Sequence, residues 1–185
     1  MRNEDIHMGH HIYFTRHGWS EWNEANKICG VTDIPLTEKG RAQARELGQK
    51  CVDEALDFDM ILASPLKRAY ETAEIVASMT GKPLSVEPRL IEQNFGRFEG
   101  TPRDGEEFKE MKQVFTYRYE GGESMMMMAQ RIYNLLDDLK NHDHTYLLVA
   151  HNGISRVVNS YFHEMTNEEY AAFGIPNCGI LRFDF

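Results

Sequence analysis

The sequence predicts an α/β fold, a three-layer α/β/α sandwich with a mostly parallel central sheet. Short apolar segments, typical of buried strands, alternate along the chain with longer segments of helical periodicity. The segment 145–150 is almost entirely apolar, as in a strand that helices cover on both faces. The chain has 185 residues, enough for one domain with a sizeable core, so we expect a single domain over residues 1–185.

The predicted strands are short and follow one another at regular intervals. They are 11–15, 59–63, 145–150 and 178–183, and the last is expected at a sheet edge. Between them, Thr37 predicts the cap of one helix, and Ser64 with Pro65 predicts the cap and first position of the next. Apolar residues at helical spacing predict two further helices, around 129–139 and 154–161. We expect the methionines at 125–128 to fill the core at a helix start.

The composition excludes several classes of protein. Lys and Arg number 20 against 29 Asp and Glu, and the net charge of −9 argues against a general nucleic-acid-binding protein. No segment approaches the length of a membrane-spanning helix, and the N-terminus has no apolar core of a signal peptide. Three widely spaced cysteines indicate reduced thiols. We therefore expect a cytoplasmic protein that binds neither membrane nor nucleic acid.

Polar residues follow three of the predicted strands. Arg16 and His17 end the first strand, Ser64 follows the second with Arg68 one helical turn later, and His151 follows the third. The carboxyl ends of parallel strands meet at one edge of a sheet, which is where ligands bind in such folds. Guanidinium groups match phosphate oxygens, and imidazole exchanges protons near neutral pH. The pattern therefore predicts a phosphate site at this edge.

The glycines after two of these strands extend that prediction. Gly18 and Gly153 each follow a predicted strand, and their backbone N–H groups could be offered to a bound anion.

Six blocks of sequence, in order along the chain, resemble the histidine phosphatase superfamily, also called the phosphoglycerate mutase-like family. The first block is TRHGWSEWN at 15–23, and the others lie at 30–40, 63–73, 90–100, 121–124 and 149–153. The mutases of this family are longer and carry a larger insertion with basic residues. At 185 residues, this chain therefore resembles the shorter phosphatase branch. The resemblance implies the fold predicted above.

The resemblance also implies a role for individual residues. His17 matches the nucleophile that becomes a phosphohistidine, and Glu92 matches the general acid and base, with Glu99 as a competing candidate. The residues that match the phosphate pocket are Arg16, Asn23, Arg68 and His151, of which Arg16 and His151 are also counted as catalytic. Cys29 and Gly30 match positions beside the substrate, and Cys29 and Trp19 differ from the residues common in the family.

The function implied is hydrolysis of a small organic phosphomonoester. We expect no metal and no cofactor, because arginines supply the positive charge. Two alternatives stay open from the sequence: a cofactor-dependent phosphoglycerate mutase, and a non-catalytic binding module on the same fold. The sequence makes no prediction of the oligomeric state.

Residues 101–124 are predicted to form a helical flap over the site. Phe108, Met111 and Phe115 have helical spacing, although a segment that only packs against the body is an equal alternative. The segment has four basic and six acidic residues. This charge argues against highly phosphorylated substrates, and the aromatic residues favour a monoester with organic bulk.

Overall fold

The computed structural model describes residues 10–185 and confirms the predicted fold class. Its central sheet has five strands in the order β3-β2-β4-β1-β5. Four strands run parallel, and β5 pairs antiparallel with β1 at one edge. The strands are β1 (His11–Arg16), β2 (Met60–Ala63), β3 (Leu84–Val86), β4 (Tyr146–Ala150) and β5 (Ile180–Asp184).

Seven α-helices connect and cover these strands within the described residues. They are α1 (Glu21–Glu24), α2 (Glu38–Asp53), α3 (Lys67–Thr80), α4 (Glu106–Met111), α5 (Met125–Lys140), α6 (Asn152–Phe162) and α7 (Asn167–Ala172). The side chain of Thr37 accepts a hydrogen bond from the backbone of Gly40, which confirms the predicted cap of α2. No helix among the described residues is long and apolar enough to cross a membrane.

The period of two along the strands separates two hydrophobic cores. In β1, Ile12 and Phe14 face the core beneath α5 and α6, whereas Tyr13 faces the core beneath α2 and α3. In β4, Leu148 and Leu147 divide in the same way. The sheet is therefore covered on both faces, which explains why β4 is apolar throughout.

Two local predictions are wrong. Helix α3 begins at Lys67, with Leu66 at the cap position and no side-chain cap, so Ser64 does not cap it. The methionine run is only partly core: Met128 is buried, but Met126 is 56% exposed and Met127 is 39% exposed. A short run that begins a helix presents its residues around the whole helix axis, so it cannot face the core at every position.

The 101–124 segment contains less helix than its spacing predicts. Its one helix is α4, which ends at Met111, and turns follow as far as the start of α5. Phe108 and Tyr119 are buried against Phe98 and Ile28, in a small aromatic cluster separate from the two main cores. The segment therefore packs on the body of the protein through this cluster.

Candidate active site

The register of the sheet brings three strand ends together. Arg16 lies opposite Ala150, and Ala63 lies opposite Val149. The backbone hydrogen bonds continue one residue further on both sides of β4. The residues that follow the three strands therefore lie along one edge of the sheet: His17, Ser64 and His151.

One ring nitrogen of His17 is engaged in a hydrogen bond to the backbone. Its Nδ1 lies 2.7 Å from the carbonyl oxygen of Gly18 and donates a hydrogen bond to it, which leaves Nε2 without a proton in the neutral ring. Burial, together with the positive charges of Arg68 and Arg16, lowers the pKa of His17 well below its usual value. The ring is therefore neutral at physiological pH, with a nucleophilic nitrogen at Nε2.

His151 lies beside His17 and is fully buried. The two ring centroids are 5.2 Å apart. His151 Nε2 lies 2.7 Å from the Ser64 hydroxyl, which itself accepts a hydrogen bond from the backbone of Leu66. With Nε2 paired to Ser64, Nδ1 is the ring nitrogen of His151 that has no hydrogen-bond partner among residues 10–185. Because of burial and the charge of Arg68, the pKa of His151 also lies well below its usual value.

Arg68 is fully buried beneath the site. Its two terminal nitrogens donate to the carbonyl oxygens of Thr32 and Gly30, at 2.9 and 2.7 Å. These two bonds fix the plane of the guanidinium group and bring the 30–32 loop to α3.

Arg16 and Asn23 are oriented by the C-terminal part of the chain. Arg16 donates to the carbonyl oxygen of Ile175 at 3.0 Å. Burial lowers the pKa of Arg16 to about 10, so it remains charged at neutral pH. The Asn23 side-chain oxygen accepts from Ser20 and from Asn177, which fixes the orientation of its amide. Asn177 also donates to the carbonyl oxygen of His17 at 2.8 Å.

Three buried side-chain nitrogens have no hydrogen-bond partner among residues 10–185. They are Nε of Arg16, Nε of Arg68 and Nδ1 of His151. Buried polar groups in folded proteins are nearly always paired, and an unpaired one costs about 1–3 kcal/mol. All three belong to residues matched to the phosphate pocket, so the unpaired buried nitrogens of the described residues lie where an anion is expected.

The two candidate carboxylates have different surroundings. Glu92 is 5% exposed, and its oxygens accept from the backbone N–H groups of Gln93 and Gly153, each at 2.9 Å. The Glu99 carboxylate instead accepts from four backbone N–H groups and from the Thr32 hydroxyl. Glu99 thus holds two loops together, whereas Glu92 lines the cavity beside His17.

The sequence predicted that two glycines could offer their backbone N–H groups to an anion, but in the structure both groups are paired within the protein. The N–H of Gly18 donates to Thr72, and that of Gly153 donates to Glu92, so neither is left for an anion. Gly30 is not among the residues that line the cavity. Its backbone oxygen holds Arg68, and a Cβ there would lie 2.2 Å from Glu99. The requirement for glycine at position 30 therefore comes from packing between the loops.

Cys29 does line the cavity, next to His17. Its thiol lies 3.8 Å from the carbonyl oxygen of Thr32. Burial raises the pKa of the Cys29 thiol to about 11, so the reactive thiolate is scarce at neutral pH.

A cavity of about 150 Å³, which we call the first cavity, opens at the strand ends. Arg16, His17, Asn23 and Glu92 lie on its wall, as the sequence predicted. Arg68 and His151 are fully buried and are not on that wall, although the charge of Arg68 lowers the pKa values of Arg16 and His17, which are.

Three basic residues on the wall were not predicted. Arg103 and Lys112 come from the 101–124 segment, and Arg156 comes from α6. With Arg16 they give the wall four cations against the one carboxylate of Glu92. Although the 101–124 segment as a whole has more acidic than basic residues, the charged residues that it contributes to the cavity wall are both basic. Arg156 lies one helical turn beyond Asn152, which also lines the cavity, and this spacing is the signal that could have found it.

Within residues 10–185, no group of three or more His, Cys, Asp or Glu side chains could hold a metal ion.

Comparisons with known proteins identify the family. The family model described as "Histidine phosphatase superfamily (branch 1)" matches residues 12–185. This chain belongs to the histidine phosphatase superfamily. A probable phosphoglycerate mutase GpmB of Erwinia tasmaniensis is 35% identical over 182 residues, which cover 94% of this chain and 84% of that protein. A protein with the same description from Photorhabdus laumondii is 35% identical over 184 residues, with the same coverage.

A solved structure agrees with both the fold and the family. A mycobacterial glucosyl-3-phosphoglycerate phosphatase in complex with VO₃ has a TM-score of 0.81 and 25% identity, covering 94% of this chain and 90% of that one. The chain is thus a phosphoglycerate mutase-like phosphomonoesterase of this superfamily.

Proposed function

We propose that this enzyme hydrolyses small organic phosphomonoesters through a phosphohistidine on His17, without a metal. The observation that carries the proposal is the neutral His17 ring beside three buried side-chain nitrogens that have no protein partner, two of them arginine N–H donors. A phosphoryl group with three charged oxygens matches those two donors and the four cations of the first cavity.

In the first step, His17 Nε2 attacks phosphorus in line with the ester oxygen. The N–P bond forms as the P–O bond breaks, and Arg16, Arg68 and His151 stabilise the charge on the equatorial oxygens. Protonated Glu92 gives its proton to the departing oxygen, which would otherwise leave as a poorly stabilised alkoxide.

In the second step, Glu92 acts in reverse. Its carboxylate takes a proton from a water molecule, and the water oxygen attacks the phosphohistidine as the N–P bond breaks. Phosphate and neutral His17 result, so the enzyme returns to its first state. The Gly18 carbonyl holds the Nδ1 proton through both steps.

The proposal is tested by measuring phosphate release from phenyl phosphate in excess EDTA. We expect unchanged turnover in the chelator, and a ³²P label on the protein that is stable in base and lost in acid. His17→Ala should lower kcat by at least about 10³-fold. His144→Ala is the matched control, because the His144 side chain is 65% exposed. Loss of activity in EDTA, or full turnover by His17→Ala, would contradict the proposal.

A mutase reaction is the second candidate. Arg103, Lys112 and Arg156 give the first cavity the cations that could hold a substrate carboxylate. The GpmB relatives are also described as probable phosphoglycerate mutases. The two reactions are separated by supplying 3-phosphoglycerate with a bisphosphoglycerate primer. If 2-phosphoglycerate forms faster than free phosphate, the mutase replaces the hydrolase as the main activity.

A further inference from the structure

A second and larger cavity adjoins the first. Its volume is about 520 Å³, within the range of small-molecule sites in proteins. It lies between the 101–124 segment, the start of α5 and the helix α7. The proposed chemistry of the first cavity does not use it.

The two cavities adjoin and share part of their walls. Phe95, Lys112, Gly153 and Arg156 line both of them. Glu92, whose proposed role is to protonate the departing group, accepts a hydrogen bond from Gly153 at 2.9 Å. The group that leaves phosphorus would therefore depart beside residues that also line the second cavity.

The wall of the second cavity is largely apolar. Phe115 and Tyr170 pack together with ring centroids 5.6 Å apart, and Met125, Met128 and Phe95 complete the apolar surface. Methionine and aromatic side chains adapt to flat apolar ligands. The charged residues on this wall are the carboxylate of Glu168 and three cations, Lys109, Lys112 and Arg156, of which Lys112 and Arg156 also line the first cavity.

We propose that the second cavity binds the organic part of the substrate, and that this part carries an aromatic or similarly flat apolar group. The inference rests on the proposed function for the position of the phosphate. It is carried by the shared walls, the volume and the aromatic lining of the cavity. The substrate class is thus a phosphomonoester of an alcohol with a bulky apolar group.

Binding is measured first, with non-hydrolysable ligands. Phenylalkyl phosphonates with linkers of increasing length are each paired with the alkyl phosphonate of the same chain length, and their Kd values are compared by calorimetry. At the optimal linker we expect the phenyl compound to bind at least about tenfold more tightly, the order expected when an aromatic ring leaves water. Its heat-capacity change should be the more negative of the pair.

A pair of variants tests whether the preference for the phenyl ligand arises in the second cavity. Ala171 is exposed on α7 and lines the second cavity, whereas its neighbour Ala172 is exposed on the same helix and lines neither cavity. Ala171→Trp should remove the preference for the phenyl ligand and leave alkyl phosphonate binding within twofold of wild type. Ala172→Trp should change neither.

The matching phosphate esters then separate this inference from the proposed function. Equal Kd values for phenyl and alkyl ligands, with hydrolysis of both esters, would overturn the second-cavity inference alone. A phenyl preference that Ala171→Trp removes, without hydrolysis of any ester, would support the cavity and overturn the hydrolase. Failure to bind any phosphonate or hydrolyse any ester would overturn both.

Discussion

The strand-end edge of the sheet and the 101–124 segment build one cavity by different means. At the edge, Arg16 and His151 are held by the hydrogen-bonded register of β1 and β4. In the segment, Arg103 and Lys112 are held by turns and one short helix that pack through a small aromatic cluster. His151 is fully buried and Arg16 is half-buried, and each has one side-chain nitrogen without a partner among residues 10–185, whereas Arg103 and Lys112 are exposed residues of the segment.

Under the proposed function, this difference divides residues that act on every substrate from residues that select among substrates. Residues fixed by the sheet would contact the phosphoryl group that every substrate shares, so changes there should affect all substrates alike. Residues on the segment would face the part of the substrate that varies, so changes there should affect some substrates only. The variants of Glu92 and Lys112 test this division.

The largest effect is expected from Glu92, whose carboxylate is tied to the first turn of α6. Glu92→Gln should lower kcat about 10²–10⁴-fold for every alkyl phosphate, because the leaving oxygen loses its proton donor. Glu99→Gln should lower the melting temperature instead, because it weakens the bonds between two loops. Thermal unfolding and steady-state rates measure both. A larger loss of kcat in Glu99→Gln would reverse the assignment.

A smaller and selective effect is expected from Lys112. Desolvation in the cavity and the charges of Arg156 and Arg103 lower the pKa of Lys112 to about 8, so its charge is present below that pH and lost above it. Lys112→Gln should lower kcat/KM about tenfold at pH 6.5 for an ester with a carboxylate beside the phosphate. It should change little for the amide analogue, or for either ester at pH 9.5.

The control for this experiment is Arg118→Gln, on the same exposed segment but away from the first cavity. Equal losses for the carboxylate and amide esters would mean that the segment contributes to chemistry, and the division between the two regions would fail.

The smallest effect is on stability at mildly acidic pH. The folded-state pKa of His17 lies well below the value in an unfolded chain. As pH falls below about 6.5, the unfolded state binds a proton that the folded state does not, so stability is present above that pH and lost below it. The free energy of unfolding should fall by about 1 kcal/mol more between pH 7 and pH 5.5 in wild type than in His17→Asn. Parallel urea titrations giving the same fall for both proteins would show that His17 titrates normally.

Sequence reasoning worked best where periodicity and sheet geometry act together. The apolar runs of β1 and β4 and the cap at Thr37 are local signals that the fold satisfies. The parallel arrangement then places His17 and His151 at one edge without further information. The hydrogen bonds of Glu92 and Glu99 distinguish their surroundings and support Glu92 as the proposed proton donor, a difference that residue spacing does not reveal.

The features that sequence analysis missed or misjudged depend on contacts that the spacing of residues along the chain does not reveal. Ser64 resembles a helix cap, but its hydroxyl bonds to His151, which is distant in sequence. The predicted charge of the 101–124 segment counted every charged residue in it, whereas Arg103 and Lys112 are its only charged residues that line the first cavity. The strand β3 is short and mostly exposed, so it lacks the apolar run that would have revealed it.

The three buried side-chain nitrogens without partners among residues 10–185 have a consequence for how turnover would end. Under the proposed function, inorganic phosphate offers them the same oxygens as the substrate, so the product would be held rather than expelled. Release of phosphate would then be a slow step, and turnover would fall as phosphate accumulates. Such a catalyst would respond to the phosphate status of its surroundings through the same atoms that make it active.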